Sequence, residues 1–154
     1  MNPDAVIALG GGSSIDLAKV VALLMAHGGH PLDYVGENLV PGPIAPLVAI
    51  PTTAGTGSEV TSVAVLTDTD NNLKVGVSDN YLRPAVALLD PELTLGLPPY
   101  VTACAGIDAL SHAIELIQPK TISIFKRKAA SCSKAPFRSV MRWPWKPFAS
   151  LPAI

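Results

Sequence analysis

The sequence is short of charges and cysteines, and it has no long apolar run. Only 15% of its 154 residues are charged and 49% are hydrophobic, which argues against a disordered chain and favours one globular domain with a sizeable core. The two cysteines, Cys104 and Cys132, are too few and too far apart for a disulfide framework or a zinc knuckle. No stretch has the roughly 20 apolar residues of a membrane helix, and no signal-type leader opens the chain. We therefore expect a soluble, cytoplasmic protein without membrane contacts.

Acidic residues are missing altogether from the end of the chain. Every Asp and Glu lies at or before Glu115, whereas only Lys19, Lys74 and Arg83 among the 11 Lys and Arg residues precede it. The three Phe and two Trp residues all lie beyond residue 117. The composition thus indicates that residues 1–116 and 117–154 are two different kinds of sequence.

A glycine-rich turn stands near the start of the chain. Apolar residues 5–9 predict a strand, GGGSSID (residues 10–16) a turn, and the mostly apolar residues 17–27 a helix. Glycines let a ligand approach the backbone closely, and the free amides at a helix start attract phosphate. The last glycine of the G-x-G-x-x-G dinucleotide fingerprint is absent, because Ile15 stands in its place. A phosphate site and a plain glycine turn therefore both remain open.

Capping and turn residues mark the limits of the other predicted elements. Ser13 and Asp16 have capping-box spacing at the start of the first helix, and the glycine pair 28–29 predicts its end. The Pro- and Gly-rich residues 31–46 predict a loop. Apolar runs and turn residues then predict a strand at 47–50, a hairpin of 63–67 and 74–77, a buried strand at 85–89 and a helix at 102–117. Alternating buried strands and helices favour a parallel sheet.

Two polar features could carry chemistry. The loop PTTAGTGSE (residues 51–59) directly follows the strand at 47–50, and ligands of α/β sheets bind at the carboxyl ends of strands. On the helix at 102–117, Asp108 and His112 share one face and could bind one metal ion. The same spacing also suits a surface hydrogen bond. Two ligands alone do not favour the metal site, because a catalytic metal site generally needs about three protein ligands.

Four motifs in one order between residues 4 and 115 are far more specific than any one of them. They are GGGSSIDxxK (10–19), PTTAGTGSEVT (51–61), DPxLTxGLPP (90–99) and GxDALxHAIE (106–115). In this order they resemble the iron-dependent (group III) alcohol dehydrogenases. Glycerol dehydrogenases and dehydroquinate synthases differ at the threonine loop, and maleylacetate-reductase-like enzymes are a more distant match. The resemblance implies an α/β fold: a partial Rossmann-like nucleotide-binding domain, dehydroquinate synthase-like, followed by the first helix of an all-α metal-binding domain.

The resemblance also implies which residues bind the cofactor, NAD or NADP, and a metal. Seven positions match residues that contact the cofactor: Gly11, Gly12, Ser13, Thr52, Thr53, Thr56 and Lys74. Asp108 and His112 match two catalytic metal ligands, usually of ferrous iron with zinc as an alternative, and such an ion would polarise the substrate oxygen during hydride transfer. The implied reaction interconverts a small-molecule alcohol with its aldehyde or ketone. The resemblance also implies that intact members of the family are homo-oligomers. Alternatively, the threonines satisfy only their own loop, and Lys74 is a solvated strand residue.

The match fails at both ends of the chain. Family members have an earlier part of the nucleotide-binding domain, which chooses NAD or NADP, and later helices with two more histidine ligands, whereas no histidine follows His112 here. The predicted organisation is a partial dinucleotide-binding domain at 1–98, the start of a helical metal-binding domain at 99–117 and a basic tail at 118–154.

A shifted reading frame or a fused fragment would explain the basic tail, and a nucleic-acid-binding adaptor is the rival hypothesis. We expect weak or no activity, with a catalytically inactive remnant, binding at most a nucleotide or a partner, as the competing interpretation.

Overall fold

The computed structural model of the chain describes residues 3–117. In chain order the regular elements are β1 Val6–Gly10, α1 Gly12–His27, β2 Gly36–Glu37, β3 Leu47–Pro51, β4 Val63–Asp68, β5 Leu73–Ser78, β6 Val86–Ala87 and α2 Pro99–Ile117. The predictions made for the basic tail at 118–154 lie outside these residues. No helix within the described part of the chain is long and apolar enough to cross a membrane.

The first sheet is parallel, as the sequence predicts. Its strand order is β1-β3-β6, and β1 pairs with β3 from Val6 opposite Leu47 to Gly10 opposite Pro51. One face of this sheet packs on α1, where Ala8, Ala49 and Ile15 are buried together with Leu47. Because β1 and β3 end side by side, the loops that follow them leave the same edge of the sheet.

The other face of the parallel sheet is not covered by the described residues. Ile7 is 71% exposed and Leu9 is 60% exposed on β1. The strand predicted at 85–89 is correspondingly shorter and more open: only Val86–Ala87 pair with β3, and both residues are exposed. The prediction that this strand is buried is therefore wrong. Parallel strands are fully buried only where helices cover both faces of the sheet. Within residues 3–117, α1 covers one face of this sheet.

The second sheet contains the predicted hairpin. Strands β4 and β5 pair antiparallel from Val63 opposite Ser78 to Asp68 opposite Leu73, and β2 adds to β5 in parallel. Within the loop predicted at 31–46, only a 3₁₀ turn at Pro31–Tyr34 and the two residues of β2 are regular. Helix α1 also packs against β4, and a second buried cluster forms there from Val20, Leu23, Tyr34, Val40, Ala64, Val77 and Leu82.

The two helices begin differently from the prediction. Helix α1 starts at Gly12 with Gly11 as its N-cap and no side-chain cap, so the predicted capping box is wrong. The carboxylate of Asp16 accepts hydrogen bonds from Ser58, in the loop after β3, and from Val65 on β4 instead of capping the helix. The predicted end is confirmed, because Gly28 caps the helix with φ of 69°. Helix α2 begins at Pro99, and proline is favoured at the first helical position because its missing N–H would have no partner there.

Candidate cofactor site

Two loops meet at the carboxyl ends of β1 and β3. We call residues 10–13 the glycine turn and residues 51–59 the threonine loop. The backbone N–H of Thr52 donates to the carbonyl of Gly10 at 2.9 Å. A Cβ atom added to Gly11 would lie 3.3 Å from Cγ2 of Thr53, and one added to Gly12 would lie 2.9 Å from Cγ2 of Thr56. Side chains at these glycines would therefore push the two loops apart, and the structure brings together the two motifs that the sequence predicts to form one site.

The glycine turn presents backbone N–H groups that have no acceptor in the part of the chain that the structure describes. The first backbone hydrogen bonds of α1 are those from Ser14 and Ile15 to the carbonyl of Gly11, at 3.0 and 3.1 Å. The amides of Gly12 and Ser13 precede them at the helix start, where backbone N–H groups have no acceptor within the helix. Aligned peptide dipoles add partial positive charge at the same point. This end of α1 can bind a phosphate group.

The hydroxyls of Thr53 and Thr56 differ in their hydrogen bonding. Oγ1 of Thr56 accepts a hydrogen bond from the backbone N–H of Ser58 at 3.3 Å, as expected of a threonine that satisfies its own loop. Oγ1 of Thr53 is buried and has no hydrogen-bond partner among the described residues. A buried hydroxyl without a partner is costly, and Thr53 lies against Gly11. Of these two hydroxyls, that of Thr53 therefore keeps its hydrogen-bonding capacity unused within residues 3–117.

A close backbone approach joins the threonine loop to α2. A Cβ atom added to Gly55 would lie 2.8 Å from the carbonyl carbon of Ala105, so only glycine fits there. Asp108 and His112 follow Ala105 at intervals of three and four residues, which places all three on one face of the helix. The face that carries the predicted metal ligands is thus the face that contacts the threonine loop.

Asp108 and His112 are close to each other but lack a third donor. Nε2 of His112 lies 3.8 Å from Oδ1 of Asp108, and the two side chains are 53% and 46% exposed. Across residues 3–117 no group of three or more His, Cys, Asp or Glu side chains could hold a metal ion. The imidazole and carboxylate are suitable donors for iron or zinc, but two donors do not complete a metal site.

Lys74 lies on β5 of the hairpin and bonds to a residue of the opposite strand, β4. Its ammonium donates to Oγ1 of Thr67 at 2.6 Å, and the residue is exposed. Thr67 is its partner in the antiparallel pairing of β4 and β5. This contact suits the solvated-strand interpretation, and the cofactor contact implied by the resemblance stays a prediction.

A buried ion pair under the site was not assigned a role from the sequence. Lys19 is 0% exposed, although lysine is ordinarily a charged surface residue, and its Nζ lies 3.6 Å from Oδ1 of Asp16. Nζ also donates to the carbonyl of Val63 at 2.7 Å and to Oγ1 of Thr61 at 3.2 Å. The signal in the sequence is a single lysine three residues after an aspartate in an otherwise apolar helix segment.

Burial shifts the titration of this lysine. Desolvation lowers the pKa of the Lys19 ammonium below its ordinary value of 10.5, against the opposing attraction of the Asp16 and Glu59 carboxylates. The folded chain therefore holds this proton less tightly than the unfolded chain does. Lys19 accordingly adds stability above the unfolded pKa, and this contribution is lost as the pH falls through the lowered folded pKa.

The pH dependence of unfolding tests this shift. We expect the free energy of unfolding of the natural chain to rise relative to that of a Lys19→Met variant between about pH 7 and about pH 10, because methionine cannot titrate. Urea unfolding of both chains at the two pH values measures the difference, in which other titrating groups cancel. Parallel pH profiles for the two chains would contradict the shift.

Comparison with known proteins identifies relatives of this part of the chain. Residues 1–91 match the family described as iron-containing alcohol dehydrogenase. The NAD-dependent methanol dehydrogenase of Bacillus methanolicus is 53% identical over 114 residues, which are 74% of this chain and 30% of that protein. A crystal structure of 1,3-propanediol oxidoreductase superposes with a TM-score of 0.69 at 40% identity, covering 72% of this chain and 29% of that one. The sulfoacetaldehyde reductase of Bifidobacterium kashiwanohense in complex with NAD+ superposes with a TM-score of 0.65 at 42% identity, covering 73% and 30%.

The superpositions confirm the predicted fold class. The parallel sheet and its helix resemble the Rossmann-like nucleotide-binding part of these dehydrogenases. The chain spans about a third or less of the length of each relative, 30% of the methanol dehydrogenase.

Proposed function

The chain belongs to the family of iron-containing alcohol dehydrogenases, and from this premise we propose that it is part of a metal-dependent, NAD(P)-linked oxidoreductase that interconverts an alcohol with its aldehyde or ketone. The family uses NAD(H) and iron, which are the cofactors expected from the sequence. Small alcohols or aldehydes fit the names of the relatives, which act on methanol, 1,3-propanediol and sulfoacetaldehyde. A homo-oligomer in the cytoplasm, without nucleic acid or membrane partners, completes the proposal.

The observation that carries the proposal is the meeting of the glycine turn with the threonine loop. Free amides of Gly12 and Ser13 offer donors to a pyrophosphate, and the unpartnered hydroxyl of Thr53 lies beside Gly11. No acidic side chain lies in the first turn of α1, where a carboxylate would oppose the binding of an anion. These are the features that a dinucleotide requires of its binding loop.

Each residue of the site has a part that follows from its position. The glycines would leave room for the cofactor pyrophosphate, the helix start would bind its negative charge, and Thr53 would orient it by a hydrogen bond. When bound, the nicotinamide supplies the hydride acceptor or donor of the reaction. Asp108 and His112 would provide two metal ligands on the α2 face that contacts the threonine loop. Since these two donors are an incomplete set, we assign no step to a metal held by the described residues.

Two observations favour a second candidate, a catalytically inactive remnant that at most binds a nucleotide or a partner. One is the incomplete metal set within residues 3–117. The other is the uncovered apolar face of the parallel sheet, with Ile7 and Leu9 exposed. Both are expected of a chain that holds part of a larger enzyme fold.

Binding and turnover together separate the two candidates. Titration calorimetry of the full chain with NAD+ and NADP+ measures binding, and alcohol oxidation with added ferrous or zinc ion measures turnover. We expect dinucleotide binding together with weak or absent turnover. No turnover and no tight metal binding would leave the remnant, and no binding of either dinucleotide would contradict the proposed cofactor site.

Replacing Thr53 by valine tests the hydroxyl assigned to the cofactor. Valine keeps the shape and removes a buried group that has no partner within residues 3–117, so we expect the free chain to become more stable, by about 1 kcal/mol. Dinucleotide binding should weaken about tenfold, because one hydrogen bond is lost. Urea unfolding and calorimetry measure the two effects.

Thr56→Val is the matched control, since its hydroxyl already accepts a bond from Ser58. This variant should lose stability instead of gaining it. If both variants are destabilised and bind the dinucleotide equally well, the assignment of Thr53 is wrong.

A further inference from the structure

We propose that Lys19 is a positioning residue for the cofactor site: it holds the threonine loop against the glycine turn without touching the ligand. The claim about affinity rests on the proposed function, whereas the claim about loop position does not. Lys19 belongs to α1, the helix whose start forms the glycine turn. Its ammonium reaches residues that follow the threonine loop in the chain.

The contacts of Lys19 fix the position of the segment that follows the threonine loop. Nζ donates to Oγ1 of Thr61 and to the carbonyl of Val63, two and four residues beyond the end of the loop at residue 59. Thr61 in turn connects to the loop itself, since its backbone N–H and its hydroxyl both donate to the carbonyl of Ser58, each at 3.4 Å. The lysine therefore holds the turn in which the loop ends.

Asp16 extends the same connection. One carboxylate oxygen accepts the hydroxyl of Ser58, within the loop, and the other accepts the backbone N–H of Val65 at 3.0 Å, on β4. Lys19 lies beside the first of these oxygens. Two charged side chains of one helix thus join the loop, the segment after it and the strand that follows.

The rest of the loop depends on these contacts for its position. Its upstream side continues from β3, and its middle meets α2 at Gly55. Thr56, which contacts Gly12, lies between that middle and the Ser58 anchor. Release of the downstream side would let Thr56 and then Thr53 move away from the glycine turn.

Stability alone does not require an ion pair of Asp16 and Lys19 at this place. Burying a charge is costly, and replacing a buried ion pair by well-packed apolar groups is often neutral or stabilising. The groups that face the ammonium are Asp16, Glu59, Thr61 and the carbonyl of Val63. What lysine adds over an apolar residue is directional bonding to two points on the chain after the loop.

The Lys19→Met variant tests the proposal in the full chain. Methionine fills the same space and leaves Asp16 its donors from Ser58 and Val65. In the nuclear Overhauser spectrum of the free chain, we expect the contacts from the Thr53 and Thr56 methyl groups to the Gly11 and Gly12 amides to weaken or vanish. We also expect the dissociation constant for NAD+ to rise about tenfold, equivalent to the loss of one strong hydrogen bond.

Val20→Ala is the matched control on the next residue of the same helix. Val20 is 2% exposed in the apolar core, so its truncation lowers stability. This control should keep the methyl-to-amide contacts and the NAD+ affinity. If it loses both as Lys19→Met does, or if Lys19→Met keeps the contacts, the positioning role is refuted.

Thr61→Val covers the case in which Lys19→Met does not fold. It removes the hydroxyl that accepts from Nζ of Lys19 and donates to the carbonyl of Ser58, so we expect the same contacts to weaken and NAD+ affinity to fall about threefold. Unchanged contacts in this variant would overturn the proposal. If the natural chain does not bind NAD+ at all, the proposed function fails, and the methyl-to-amide contacts still decide the role of Lys19.

Discussion

The Asp16→Ala variant is expected to unfold with a free energy about 3–5 kcal/mol lower than that of the natural chain. The change removes the only carboxylate within ion-pair distance of Lys19 among the described residues and leaves that ammonium 0% exposed. It also removes the acceptor for the hydroxyl of Ser58 and the N–H of Val65. Urea unfolding followed by circular dichroism measures the loss.

Two further variants show whether the loss comes from the unpaired charge. Asp70→Ala removes an exposed carboxylate in the hairpin turn, and we expect a change within about 0.5 kcal/mol. The double variant with Asp16→Ala and Lys19→Met should regain part of the loss, since no charge is then left buried. A deficit below about 1 kcal/mol for Asp16→Ala would show that Lys19 finds another partner or reaches water.

Replacing Gly55 by alanine is expected to cost about 3 kcal/mol, at the upper end of what overpacking usually costs. The new methyl group would overlap the carbonyl group of Ala105, and backbone on both sides cannot yield as a flexible side chain can. We expect α2 to separate from the threonine loop. Urea unfolding measures the cost, and faster hydrogen exchange of α2 amides reports the separation.

Gly106→Ala is the matched control for this prediction. It lies beside Ala105, a Cβ there would meet no atom within 4 Å, and alanine favours helix by up to about 1 kcal/mol over glycine. This variant should be as stable as the natural chain or more so. Equal stability of Gly55→Ala and Gly106→Ala would mean that the loop and α2 are not in close contact in solution.

The two predictions concern the two attachments of the threonine loop. One joins it to α1 through Asp16 and Lys19, and the other joins it to α2 through Gly55. Damage to the first should move Thr53 and Thr56 relative to the glycine turn. Damage to the second should move Asp108 and His112 relative to the loop. The two side chains proposed as metal ligands would then shift relative to the proposed cofactor site.

Much of this architecture follows from the sequence alone. The strand before the glycine turn, the helix that ends at Gly28 and the hairpin around residues 68–72 all depend on local patterns of apolar and turn residues, and the structure contains each of them. The order of four motifs also sufficed to predict the family, which the comparisons confirm. Local spacing is enough for such features, because it determines which side chains share a face and where the backbone can turn.

Only the tertiary structure decided which polar groups are paired and which are free. The sequence presents Thr53 and Thr56 alike, but packing leaves the hydroxyl of Thr53 without a partner among the described residues, whereas that of Thr56 accepts a hydrogen bond from the backbone of Ser58. It likewise suggests a helix cap for Asp16, whereas this carboxylate accepts hydrogen bonds from residues more than 40 positions away, because α1 packs against β4 and reaches Ser58. Hydrogen-bond partners so distant in sequence depend on the pairing of β1 with β3 and on the packing of α1 over them, which no local pattern records.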